Sequence, residues 1–147
     1  MTINDLKNNI RELALTHEDV VAFHVGESFD IATSKSSEKY PAVWLELPIN
    51  TTYVDGRKKE HTTSINVLNL AKLDDIDDQI RVTSNMESIA DQLMGAINEK
   101  YGKIGISGIS GLTLRNFSDD DLCGVRVDLT FTVGRECNYY NKFNTTI

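Results

Sequence analysis

The sequence predicts an α+β protein of two layers, with helices packed on one face of a mostly antiparallel sheet. Three observations carry that prediction. In residues 125–133, Val-Arg-Val-Asp-Leu-Thr-Phe-Thr-Val, five apolar residues alternate without a break with Arg126, Asp128, Thr130 and Thr132. A period of two places Val125, Val127, Leu129, Phe131 and Val133 on one face of a central strand, with the core on that side and water or another subunit on the other. Helical spacing appears twice, at Ile3, Leu6, Ile10 and Leu13 and again at Ile76, Ile80, Met86, Ile89, Leu93 and Ile97. A length of 147 residues, 40% of them hydrophobic and 25% charged, fits one globular domain covering 1–147 that buries a core without disulfide staples.

The first helix is expected over residues 3–15, with Thr2 or Asn4 as its cap and an end near Thr16 and His17. Residues 20–31 read as a strand with Val21, Phe23 and Val25 on one face, Gly26 marking a bulge, and Phe29 and Ile31 beyond it. Residues 34–39 are an unpatterned polar loop. Pro41 and Pro48 bracket the next strand, 40–48, in which Val43, Leu45 and Leu47 oppose Ala42, Trp44 and Glu46. A polar turn over 51–60 is built on Asp55-Gly56, a hairpin signal, and carries the densest basic cluster, Arg57-Lys58-Lys59.

A strand over 61–70 follows, with Ile65 and Val67 opposite Leu68 and Leu70, then a long helix over 74–101. Asp74 and Asp75 stand at that helix's N-cap and Gly102 at its C-cap, while Val82-Thr83-Ser84-Asn85 is weak enough to predict a kink or break. The four glycines of 102–111 predict a loop, 112–117 a strand, 118–124 an acidic turn, and 138–147 a polar tail. The resulting order is α-β-β-β-α-β-β, and one sheet with both helices on one face buries both amphipathic stripes.

Charge and motif content narrow the function. A net charge of −7 and a pI near 4.9 argue against tight nucleic-acid binding or attachment to a membrane surface, both of which need Lys and Arg. No apolar run has transmembrane length, and the amphipathic opening segment does not read as a signal peptide, so the expected compartment is the cytoplasm. Cys123 and Cys137 flank the central strand, tens of ångströms apart if it is extended, and are expected as two thiols.

His17, His24 and His61 are scattered without metal spacing, and no phosphate loop or nucleophile elbow is present. Asp74-Asp75-Ile76-Asp77-Asp78 lacks the glycine and the later glutamate of an EF-hand loop and reads as a helix cap. Asp119-Asp120-Asp121 reads as a solvated turn. The glycines of 102–111 precede a strand, unlike those of a dinucleotide loop. The expectation is therefore a protein without catalytic residues, cofactor or metal.

Two local signatures, Tyr-Pro-Ala-Val-Trp-Leu-Glu-Leu-Pro at 40–48 and Leu-Cys-Gly-Val-Arg-Val-Asp-Leu-Thr-Phe at 122–131, sit within this order of helix, three strands, long helix and hairpin. The combination resembles the tail-terminator and head–tail joining proteins of tailed bacteriophages and is similar to neck or tail ring proteins of crAss-like phages. The resemblance implies a virion structural protein without catalysis. It would form a ring of six or twelve copies between portal and tail, assembled in the host bacterial cytoplasm against portal, neck or tail proteins. An acidic ring lumen that DNA passes through without being gripped fits the charge. The reading set beside it is a monomeric acidic binding module, such as a toxin-immunity or inhibitor protein, that covers a basic partner.

A ring needs a heterologous interface. The candidates are the basic turn Arg57, Lys58 and Lys59, the acidic turn Asp119, Asp120 and Asp121, Trp44 on the outer sheet face, and Tyr139 and Tyr140 at the start of the tail. Either the two turns pair across a subunit boundary, or both are simply solvated. Trp44 is either half-buried under a loop or waiting for a partner.

Overall fold

The computed structural model describes residues 1–27, 39–72, 74–100, 106–114 (backbone only) and 122–135. It is an α+β fold with the order α1 (Ile3–Thr16), β1 (Ala22–Glu27), β2 (Ala42–Leu47), β3 (Asn50–Tyr53), β4 (Lys58–Leu70), α2 (Ile76–Lys100), β5 (Ile106–Leu114) and β6 (Leu122–Gly134). This matches the order read from the sequence, with one additional four-residue strand, β3.

The two longest strands form the spine. β4 and β6, thirteen residues each, pair antiparallel along their whole length from Lys58↔Gly134 to Leu70↔Leu122. The strand order is β1-β2-β4-β6-β5. β2 and β3 share the second edge of β4, β2 against Ile65–Leu68 and β3 against Lys59–Thr62. β1 joins β2 in parallel, which makes the sheet mixed.

The alternation in β6 sets the two faces. Val125, Val127, Leu129, Phe131 and Val133 are all buried in the main core. Ile65 and Val67 of β4 and Val43 and Leu45 of β2 join them under Leu6, Ile10 and Ala14 of α1 and the buried stripe of α2. The opposite face holds a smaller apolar cluster of Ala42, Trp44, Leu68 and Leu122, with Ala22 and Tyr40 at its margin. Gly124 lies where two backbones meet: a Cβ built there falls 1.9 Å from the Val67 carbonyl oxygen, so no other residue fits without moving β4.

Several boundaries differ from the sequence reading, each for a physical reason. The polar turn shrinks to residues 54–57, because the Asp55 carboxylate accepts the Arg57 and Lys58 amides at 2.7 and 2.9 Å and closes it there. Lys58 and Lys59 consequently begin β4. The expected break at Val82–Asn85 is absent: α2 is continuous, with Val82 and Met86 anchored in the core against their weak propensity. Its buried stripe starts at Gln79 and Val82, so Ile76 and Ile80, expected inside, are 55% and 58% exposed.

The glycine-rich segment is strand from Ile106 onward. Gly108 and Ile109 stand together opposite Leu129 as a bulge, which absorbs the interruption. Gly26, by contrast, keeps regular register with Glu46. Cys123 lies inside β6 as a buried thiol. Residues 28–31 of the first strand, most of the 34–39 loop, Gly102, Cys137 and the polar tail lie outside the described residues.

Candidate functional site

The face of the sheet away from the helices carries an ordered polar ladder beside the Trp44 cluster. It arises from the second residue set of each strand. Register places Asn66 opposite Arg126, Ser64 opposite Asp128 and Thr62 opposite Thr130, while β2 brings Glu46 alongside. Arg126 Nη2 forms an ion pair with Glu46 Oε2 at 2.9 Å and donates to Ser64 Oγ at 3.2 Å, and its Nε lies 3.4 Å from Asp128 Oδ1. Asn66 Nδ2 donates to Glu46 Oε1 at 2.9 Å, Ser64 Oγ donates to Asp128, and the Thr62 and Thr130 hydroxyls meet at 3.2 Å.

The Glu46 side chain is only 8% exposed against 37% for Arg126, so a nearly buried carboxylate depends on a guanidinium that reaches water. The ladder floors an open cleft of about 450 Å³ whose margin includes Pro48 and Asn50. Two carboxylates face one guanidinium, and the Ser64 hydroxyl is engaged with Asp128. This chemistry suits polar recognition and fixes the β2–β4–β6 register.

The β3–β4 hairpin forms the second distinctive surface. Tyr53, 66% exposed, and Val54 stand at its tip. The Arg135 guanidinium lies over the Tyr53 ring at 5.0 Å. It donates to the Asp55 carbonyl at 2.8 Å, and the Arg135 amide donates to the Arg57 carbonyl at 2.8 Å. The Asp55 carboxyl is held below its ordinary range, first by the Arg57 amide and then by the amide and charge of Lys58. At the base of the hairpin His61 is buried between β3 and the chain start. Thr51 Oγ1 sits 2.9 Å from Nδ1 and the Met1 carbonyl 3.5 Å from Nε2. A carbonyl only accepts, so Nε2 carries the proton, and burial pushes the imidazole below its ordinary value of 6.5.

The remaining sequence candidates fall in three groups. Arg57, Lys58 and Lys59 are together at the hairpin. Trp44 is 7% exposed, stacked at 4.6 Å on His24, and therefore offers little area to a second molecule. Asp119, Asp120, Asp121, Tyr139 and Tyr140 lie outside the described residues.

The acidic run before α2 is a cap. Asp75 accepts the Asp78 amide at 3.0 Å, and Asp74 adopts a left-handed φ of 62°. Asp78 is held below its ordinary range by Arg81, 2.6 Å away, and by the Lys72 amide. Among the described residues no cluster of His, Cys, Asp and Glu fits a metal ion, and no helix is long and apolar enough to cross a membrane.

Sequence reasoning found Glu46, Arg126 and Asp128 as outward residues but missed Ser64, Asn66 and the tip pair Tyr53 and Val54. The run Thr62, Ser64, Asn66 at every second position was the available signal. No protein-family model matches the chain, and a search of curated proteins returns no match.

Proposed function

We propose that this chain is a structural subunit of an oligomeric ring in the neck or tail of a tailed bacteriophage, assembled in the bacterial cytoplasm and stacked against portal, neck or tail proteins, with no catalytic role. The observation that carries the reading is the open polar end of the sheet face away from the helices. Both helices cover one face of the sheet, and among the described residues no helix covers the other, which presents the polar ladder. Ala42, Trp44, Asn66, Leu68 and Leu122 on that second face are buried, so the part suited to being built against neighbours is its open polar end around Thr62, Arg126, Asp128 and Thr130.

The hairpin tip, with exposed aromatic and aliphatic side chains, supports the same reading. So does the element order, which resembles that of ring proteins at this position. The net charge of −7 suits a lumen through which DNA slides without being held. Quantitative mass spectrometry of purified phage particles from the replicon encoding the chain tests this. The chain is expected as a particle component at ring copy number relative to the major capsid protein. Its presence in infected cells but absence from particles would instead support a monomeric immunity or inhibitor protein.

A further inference from the structure

We infer that the β3–β4 hairpin tip of one copy seats on the opposite pole of a second copy, around Ile76 and Ile80 of α2, in a head-to-tail contact. This rests on the self-assembling part of the ring reading and names its interface. The tip belongs to the Lys58 end of β4, and α2 starts just beyond the Leu70 end. Thirteen strand residues separate the two, roughly 40 Å. Such a contact made head to tail, with each copy using its tip on one neighbour and its pole on another, closes into a ring or extends into a filament.

The two poles complement one another twice over. The tip offers Tyr53 and Val54 to solvent, and the α2 pole offers Ile76 and Ile80, although their helical spacing is that of buried residues. The tip is basic: Arg57, Lys58 and Lys59 make no ion pair among the described residues. The isoleucines stand among Asp74, Asp75, Asp77 and Asp78, of which Asp78 pairs with Arg81.

Apolar centres rimmed by opposite charge give area and register together. Nucleic acid fits the tip less well. A chain of net charge −7 repels a polyanion at long range.

The test uses Tyr53→Ser/Lys58→Glu, which removes the tip, and Ile76→Ser/Ile80→Lys, which removes the receiving pole, with folding checked by circular dichroism. Sedimentation velocity of the wild-type chain is expected to show self-association that weakens with salt, and each variant alone to associate at least about tenfold more weakly. An equimolar mixture of the two variants retains one intact tip and one intact pole and is expected to give a one-to-one heterodimer that does not extend.

Variants that assemble like the wild type, or folded variants that stay monomeric when mixed, overturn this interface while leaving the ring reading in place. A wild-type chain that stays monomeric up to its solubility limit overturns both. Retention of duplex DNA by a monomeric wild type, lost in the tip variant, overturns the inference in favour of a nucleic-acid surface.

Discussion

Replacing Arg126 with Met isolates the energetics of the polar ladder. The substitution preserves the length and much of the apolar stem while deleting the charge, so among the described residues Glu46 keeps only the Asn66 amide as a side-chain partner. Removing one member of a fully buried ion pair costs about 3–5 kcal/mol, because the orphaned charge remains desolvated. Glu46 meets that condition at 8% side-chain exposure, but Arg126 at 37% does not, and water entering behind the shortened side chain offsets part of the loss. The expected cost is about 2–3 kcal/mol.

Glu46→Leu combined with Arg126→Met replaces both charges by apolar groups and is expected to lie within about 1 kcal/mol of wild type, giving a coupling energy of at least about 1 kcal/mol when Glu46→Leu alone is not stabilising. Urea titration at neutral pH reads all variants. Trp44, the only tryptophan, sits beside Asn66 in register and reports unfolding by its fluorescence. An Arg126→Met cost below about 0.5 kcal/mol, or a double variant less stable than both single ones, would refute the claim that Glu46 depends on the guanidinium.

Three further outcomes are expected. Phe131→Ala, at a fully buried centre of β6, is expected to cost about 3–5 kcal/mol in the same titration, and a loss below about 1 kcal/mol would mean that the faces of the strand are misassigned. Gly124→Ala is expected to cost at least about 2 kcal/mol despite adding one methyl group, since the obstacle is backbone; near-neutral stability would show that β4 and β6 separate easily there. Burial lowers the folded-state pKa of His61, so near and below pH 6.5 the unfolded chain binds more protons. Stability from this residue is full above about 6.5 and declines as pH falls through the folded value. Asp5, Asp55 and Asp78 are shifted downward from 3.8 and act only in more acidic solution. Urea midpoints from pH 7.5 to 5 are expected to fall more steeply for wild type than for His61→Asn, and parallel curves would remove the imidazole as the cause.

The parts of the fold legible in the sequence were those where burial and periodicity agree. Val125–Val133 alternates because its two faces have different solvents, so face and strand were readable together. At α1 the sequence offered Thr2 or Asn4 as the cap, and the structure selects Thr2, which forms a reciprocal capping box with Asp5 at 3.2 and 2.9 Å. The errors lie where tertiary contacts outweigh local signals. Ile76 and Ile80 have helical spacing but are offset from the stripe that Gln79 and Val82 begin. Gly108 weakens a strand only until a bulge gives it a place beside β6. The polar ladder was half legible: Arg126 and Asp128 declare an outward face, but their partners Ser64 and Glu46 lie on other strands, and register alone brings them together.

The central claim, that copies of this chain close on one another into a ring, is tested most directly by native mass spectrometry of the purified full-length chain across a salt series, with negative-stain microscopy of the same sample. The account predicts a single closed species of defined copy number, ring-shaped in the images and dissociating directly to monomers as salt rises. A monomer at every concentration and salt, or a two-fold dimer that does not extend, would contradict it.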